Sequence, residues 1–445
     1  MSSLFTARSP AHHAILRLLP RIAVITVVGA FCASISVAGA PLTLGEAQTL
    51  AVARSRQLAA QDLAVLSSRE MAVAAGQLPD PVLKLGIDNL PVSGADRFSL
   101  TSDFMTMRRV GVMQEITGTD KRQSRAAHYD RSAEKSLAEK AIAAAAIQRD
   151  TALAWLDRYY AEQMAAAIAE QAAQARLEIE AAQGAYRAGR GSQADIFAAR
   201  SALASVDDRY SEIQRRVRNA KTMLARWIGV VAEDPLVGQP ALESIRLDPA
   251  MLDAELGHHP QIEVLNKQID IAEADAKLAQ ADKNADWSVE VAFQQRGPEY
   301  GNMVSVGLSL PLQWDQKNRQ DRELSAKLAM VEQAKAERDD MLRQHVAETR
   351  TMIAEWENDR ERSARYEREL IPLAKQRTEA VIGAYRGGKA GLAELLAARG
   401  NQIDVRIQAL QLQADTARLW AQLNFSFPLD AAGMHSPTTE YRDVQ

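Results

Sequence analysis

Between Pro91 and Pro235 the chain contains no proline. An interior proline costs a helix about 3 kcal/mol. A run this long without one permits helices far longer than the three or four turns usual in globular proteins. Alanine fills the run, and aromatic residues make up only 5% of the chain. That composition suits long helices in close approach rather than a thick globular core. Ile142, Trp155, Tyr159, Met164, Ile168 and Leu177 mark one apolar stripe with alanine between them, the pattern of a helix over 120–186. At 1.5 Å per residue such a helix spans about 100 Å. Periodicity alone leaves an ordinary helical bundle open.

The pattern is written twice. AYRAGRGSQADIFAAR (Ala185–Arg200) returns about two hundred residues later as AYRGGKAGLAELLAAR (Ala384–Arg399). Each half reads in the same order. A first helix (43–78, then 260–283) precedes two short alternating segments. A long helix (120–186, then 316–386) runs into the Tyr-Arg-x-Gly turn, and a last helix returns (192–228, then 391–424). A repeat this long is a duplicated unit rather than a solenoid. The expected division is a first repeat over 41–229, a linker over 230–250 where Pro and Gly return, a second repeat over 251–427, and a short polar, disordered tail over 428–445.

The short segments alternate with period two, the signature of strands with one apolar face. VLKLGID (Val82–Asp88) sets Leu83, Leu85 and Ile87 against Lys84, Gly86 and Asp88. DWSVEVAFQQ (Asp286–Gln295) and VSVGLSLPL (Val304–Leu312) alternate likewise. Between Phe98 and Ile116 the parity changes near Arg108 and Arg109, which predicts a bulge or bend. Met105, Met107 and Met113 in that segment are read as apolar strand or rim residues rather than as thioether ligands for a soft cation.

Residues 1–40 hold Arg8, Arg17 and Arg21 and no acid, then the apolar run Ile22–Ala40. This is the pattern of a secretory signal peptide, with cleavage expected after Ala38 or Ala40. The only cysteine, Cys32, lies inside it, and Phe31 is not the small residue that a lipid-attachment signal places there. The rest of the chain therefore has no disulfide, thiolate nucleophile or cysteine-metal site. The formal charge of −4 is spread out and forms no basic stripe for nucleic acid. No later stretch approaches the roughly 18–20 apolar residues of a spanning helix, so any entry into a membrane must use strands.

Four strands cannot close a barrel, and an open sheet edge is not tolerated in lipid. Either the strands form a soluble sheet or several chains share one barrel, its polar face (Lys84, Asp88, Glu290, Gln294) lining the lumen. At this point the paired turn motifs, the strand exits GVMQEITGTDKR (Gly111–Arg122) and GLSLPLQWDQKNR (Gly307–Arg319), and the opening LTLGEAQTLAVARS (Leu42–Ser55) together resemble the TolC-type outer-membrane efflux ducts. The resemblance covers about 42–427. It implies an α+β membrane protein: a homotrimer in which four transmembrane strands per chain complete a shared β-barrel above a long α-helical coiled-coil barrel. It also implies an outer-membrane location with a periplasmic extension. A periplasmic adaptor and an inner-membrane RND-type pump are the implied partners, together with outer-membrane lipid. No cofactor and no chemistry are implied.

Within that resemblance the two turns are the periplasmic tips. Gly189, Gly191, Gly387 and Gly388 are expected to permit the reversal, and Arg187 and Arg386 to complement the helix dipoles. Asp195 and Tyr385 match positions where an Asp–Tyr bond holds the mouth closed. Glu394 matches one acidic position of the constriction, whereas Ala397 replaces the next. Asp195 and Glu394 are equally readable as first-turn acids at helix N-termini. Pro372 breaks the second long helix where Ala173 stands in the first, and is expected to kink it.

The stretch DNLPVSGADRFSLTSDFMTMRRVGVMQE looks most like the branch serving Czc- or Cus-type heavy-metal pumps. A duct for drugs or for type I protein secretion is the rival within this class, and a periplasmic coiled-coil adaptor or scaffold the rival outside it. His258-His259-Pro260 reads as a helix-start turn. No nucleophile elbow, phosphate-cradling loop or paired carboxylates point to an enzyme.

Overall fold

The computed structural model describes residues 41–429. The expected signal peptide, Cys32 and the tail beyond 429 lie outside the described residues. No helix among those described is long and apolar enough to cross a membrane.

The first helix of each half leads into a strand pair. In the first half it is two helices, α1 (Leu44–Arg54) and α2 (Arg56–Ala75), rather than the single helix expected over 43–78. Ser55 makes the break. Its backbone is extended, and its hydroxyl accepts from the Leu58 amide at 3.2 Å, capping α2. In the second half α5 (Leu252–Gly257) precedes α6 (Pro260–Ala281), where His259 caps and Pro260 occupies the first helical position.

The strands are β1 (Val82–Asp88), β2 (Met107–Ile116), β3 (Trp287–Gln295) and β4 (Met303–Ser309). They form one antiparallel sheet in the order β1-β2-β3-β4. The bulge expected near Arg108 is absent. Pairing runs residue for residue from Val82 opposite Met113 to Asp88 opposite Met107, and from Arg108 opposite Gln295 to Ile116 opposite Trp287. The parity conflict vanishes because residues 89–106 form a connecting loop, not strand. β4 stops at Ser309, short of the expected Leu312, just before Pro311, which has no amide to donate to a ladder.

The long helices follow. α3 runs unbroken over 69 residues, Thr119–Arg187. Its second-half counterpart starts at Gln320 rather than 316 and is interrupted: α7 (Gln320–Arg365), a π-turn over Tyr366–Leu370, then α8 (Ile371–Arg386). The return helices are α4 (Gln193–Ile228) and α9 (Leu392–Asn424).

Packing gives two layers a common order. Above the middle of the molecule α2 packs on α3, α3 on α6 and α6 on α7, the same order as the strands these helices feed. Towards the turns the order is α4, α3, α9, α8. The largest apolar core joins α1, α3, α4 and α9 around the fully buried Trp155, Leu224 and Ile228. Trp155 donates to the carbonyl of Leu42 at 3.3 Å. Where sheet meets helix, buried Lys121 reaches Asp286 at 2.9 Å and Asp282 at 3.5 Å, and Asp286 also accepts from the Gly118 amide. This joint fixes the start of α3 to the start of β3.

Candidate functional site

The two turns are built alike. After α3, Gly189 donates to the carbonyl of Tyr186 at 3.0 Å and Arg190 to that of Ala185 at 2.9 Å. After α8, Gly388 donates to Tyr385 at 3.0 Å and Lys389 to Ala384 at 2.8 Å. Both are Schellman caps, which place one residue in the left-handed region. Gly189 has φ +68° and Gly388 φ +67°. Gly387 has φ −81°, so its backbone does not require glycine. At Gly191 a Cβ would come 3.2 Å from that of Ala185, a tight contact to which the neighbour would have to yield. Arg187 and Arg386 sit in the last turns, exposed and without an ion pair among the described residues.

The return helices begin differently. Ser192 and Asp195 form a capping box: the Asp195 amide donates to the Ser192 hydroxyl at 3.2 Å, and the Asp195 carboxylate accepts from the Ser192 amide and hydroxyl at 2.7 and 2.8 Å. The Ser192 amide and hydroxyl hold that carboxyl below its usual range. α9 starts at Gly391 with no side-chain cap, and Glu394 stands exposed in its first turn. The tips nonetheless pack together. Ala182 and Ala199 of the first hairpin meet Leu392 and Leu395 of the second, with Ile196 and Tyr385 against them. Tyr385 belongs to that cluster, and Asp195 precedes its member Ile196 in the chain. No hydrogen bond joins them within the chain among the described residues, and the Asp195 carboxylate is occupied by Ser192.

Above the tips the hairpins are joined by ion pairs that sequence reading did not anticipate. Asp157, Glu170 and Glu178 on α3 face Arg418, Arg406 and Arg399 on α9, at 2.8, 2.8 and 3.2 Å. Arg209 on α4 reaches Asp404 at 2.5 Å. Every acid in the α3–α9 set lies on the first repeat and every guanidinium on the second. Burial pushes the Glu178 carboxyl up, against the opposing pull of Arg399. The only signal in the sequence was a long-range pairing of opposite charges on two antiparallel helices, which needs the register of the helices to be read.

The sheet offers the second functional surface. By register Lys84, Asp88, Arg109, Glu290 and Gln294 share one face. Lys84 meets Glu290 at 2.7 Å, Arg109 contacts Glu290 and lies 3.9 Å from Asp88, and Gln294 donates to Ser305 at 3.4 Å. Lys84 crosses β2 opposite Gly111, where a Cβ would stand 2.8 Å from that of Ala292. Met107, Met113 and Met303 share this face, while Met105 lies in the loop. The other face is apolar and open: Leu83, Leu85, Ile87, Val110, Val291, Val304, Val306 and Leu308 are all exposed, Val306 by 74%. No group of three or more His, Cys, Asp or Glu among the described residues is placed to hold a metal ion.

The sequence matches no protein-family model and no curated protein. Solved structures do match. The outer-membrane channel OprN superposes with a TM-score of 0.73 at 17% identity, over 86% of this chain and 89% of that one. VceC from Vibrio cholerae, an outer membrane protein, gives 0.71 at 17%, over 87% and 97%. CusC, whose structures concern transmembrane channel formation, gives 0.69 at 13%, over 86% and 91%. The fold is that of these outer-membrane channel structures. In this fold one chain carries the apolar sheet face, the helical layers and the paired tips.

Proposed function

We propose that the chain is the outer-membrane duct of a tripartite efflux system, a passive exit path across periplasm and outer membrane. One observation carries this reading. The order β1-β2-β3-β4 continues into the order α2-α3-α6-α7, leaving an open edge at β1 and α2, another at β4 and α7, and a wide apolar face on the sheet. Joining β4 of one copy to β1 of the next satisfies both edges and can close only as a ring. Three copies give a barrel of twelve strands with the Lys84–Glu290–Arg109 face inward and the apolar face in lipid. Trp287 and Trp314 lie exposed at the helix-proximal end of the strands, where an interfacial belt belongs.

In this duct the tips are the periplasmic mouth, with Arg187, Gly189, Asp195, Tyr385, Arg386, Gly388 and Glu394 around it. Tyr385 and Asp195 are proposed to hold it closed, and a periplasmic adaptor and an inner-membrane RND-type pump to engage it. Heavy-metal cations are the proposed cargo, on the resemblance of residues 88–115; the methionines of the polar face are read as strand and rim packing. The charges of that face balance, so cargo choice rests with the pump.

Purified protein in planar bilayers tests the duct. Tyr385→Phe, which keeps the packing and removes the hydroxyl, should raise the leak of the closed channel. No conductance from the wild-type chain would remove the duct reading. A strain lacking the chain should lose tolerance to Zn, Cd, Co, Cu or Ag; sensitivity confined to hydrophobic antibiotics would discard the cation assignment.

A further inference from the structure

We propose that the two hairpin tips form one basic platform, and that its partner is the acidic end of a periplasmic protein held by salt-sensitive contacts. The proposal rests on the duct reading and names the chemistry of the partner at the mouth. Residues 181–206 and 380–403 hold six cations and two acids, a concentration that the chain's overall charge of −4 hides. Arg399 is taken by Glu178 at 3.2 Å. Five cations remain against Asp195 and Glu394, a surplus of three. Arg187, Arg190, Arg200, Arg386 and Lys389 are all exposed, and none forms an ion pair among the described residues. The helix dipoles do not offset them, since each turn joins one C-terminus to one N-terminus.

Ring closure does not change this balance. Every copy brings the same five cations and two acids, so pairs formed between copies redistribute charge without removing the surplus. Closure also runs across the helix axes, through the strand edges and the α2 and α7 flanks. Arg190 and Lys389 lie instead in the reversals, at the ends of those axes. Their amides close the two caps at 2.9 and 2.8 Å, which fixes the backbone that presents them. The ring of tips is therefore left to be neutralised from outside.

Charge selects the partner, and the shape of the tips selects its class. An acidic protein surface gains from a ring of cations that has too few counter-charges of its own. Acyl chains do not. Between Tyr186 and Ser192, and between Tyr385 and Gly391, no apolar side chain is larger than alanine, so the reversals have nothing to insert into a bilayer. The exposed aromatics Tyr186 and Phe197 stand on the helices behind them.

The full chain in detergent tests this with a designed two-helix hairpin that carries either glutamates or lysines at its turn. The glutamate hairpin should bind and the lysine hairpin should not, with affinity for the first falling as salt rises. Arg190→Glu with Lys389→Glu should weaken binding of the glutamate hairpin by about tenfold or more and let the lysine hairpin bind. Arg190→Gln with Lys389→Gln should lose the first without gaining the second. Both double variants should keep wild-type helix content and wild-type conductance in planar bilayers. Equal binding of the two hairpins, binding of neither, or glutamate-hairpin binding that both variants retain overturns the platform and leaves the duct standing. Binding confined to vesicles containing phosphatidylglycerol, and lost in the variants, means that the tips meet a membrane and overturns the protein partner. No conductance from the wild-type chain removes the duct reading, and the platform's role with it, whatever the hairpins do.

Discussion

Gly387 and Gly388 stand side by side in the second turn, and only one of them is required. Gly388, at φ +67°, would carry a left-handed penalty with any Cβ, about 1–2 kcal/mol for alanine. Gly387, at φ −81°, would place its Cβ in ordinary contact, 3.5 Å from the Gly383 carbonyl. Gly388→Ala should therefore speed amide exchange across 383–391, and Gly387→Ala should leave it unchanged or slow it. Equal effects from both would mean the turn is not held by its left-handed residue. His259 makes a pH prediction at the same scale. Burial, then the neighbouring His345, push its imidazole from 6.5 down to about 4. Its ring meets Phe427 edge-on and its Nδ1 accepts from the Gln261 amide at 3.2 Å. Between pH 6.5 and about 4 the unfolded chain binds a proton that the folded chain refuses, so stability falls as pH falls through that window, by at most about 3 kcal/mol. Protection of the Phe425–Leu429 amides, taken relative to their intrinsic exchange rate at each pH, should fall on acidification, and His259→Asn, which still caps α6, should flatten that response. The turn glycines were legible because φ > 0 leaves few residues to choose from. The capping contact of Asp195 with Ser192 was not singled out, because an acid in the first turn of a helix is equally readable as complementing the helix dipole.

Pro372 shows how far a single residue is legible in an element. A break in the second long helix follows from the missing amide, but the form of the break does not. The helix widens over Tyr366–Leu370, with Ile371 donating to the carbonyl of Tyr366, and α8 resumes with Pro372 in its first turn. Tyr366 donates to Gln408 at 3.3 Å and Gln413 to Glu367 at 2.9 Å, so the wide turn is tied to α9. Pro372→Ala removes a preference of about 3 kcal/mol against a continuous helix. It should slow exchange over 364–372 and reduce open–closed transitions in bilayer recordings. Unchanged exchange would mean that the contacts with α9, not the proline, impose the turn. Strand positions were legible because period two is a local signal. The ends of β2 and β4 were less so, since an alternating segment reads as strand whether or not a neighbour pairs with it. The split at Ser55 was missed for a similar reason. A serine inside an apolar-periodic run becomes a cap only once tertiary packing turns the chain there.

At the scale of the molecule the exposed surfaces argue for company. On α2 the stripe Leu63, Leu66 and Val73 is 67%, 53% and 64% exposed, and on α7 Leu328 and Met330 are each 51% exposed. These are the outer flanks of a four-helix layer whose inner contacts are complete, below a sheet whose β1 and β4 edges are open. The proposed three-chain ring would place the α2 flank of one copy against the α7 flank of the next. Full burial of each leucine is worth about 1.5–3 kcal/mol, and the ring repeats the contact at every interface. Leu63→Glu with Leu66→Glu replaces that gain with two buried like charges per interface. Neither leucine contributes to the core of the single chain, so helix content by circular dichroism should stay unchanged. Sedimentation in detergent should move from three chains to one. Persistence of the trimer would show that α2 faces water and that the ring closes through other surfaces. A stable single chain from the wild type would remove the shared barrel altogether, because the two open strand edges would then have to be satisfied without a second copy.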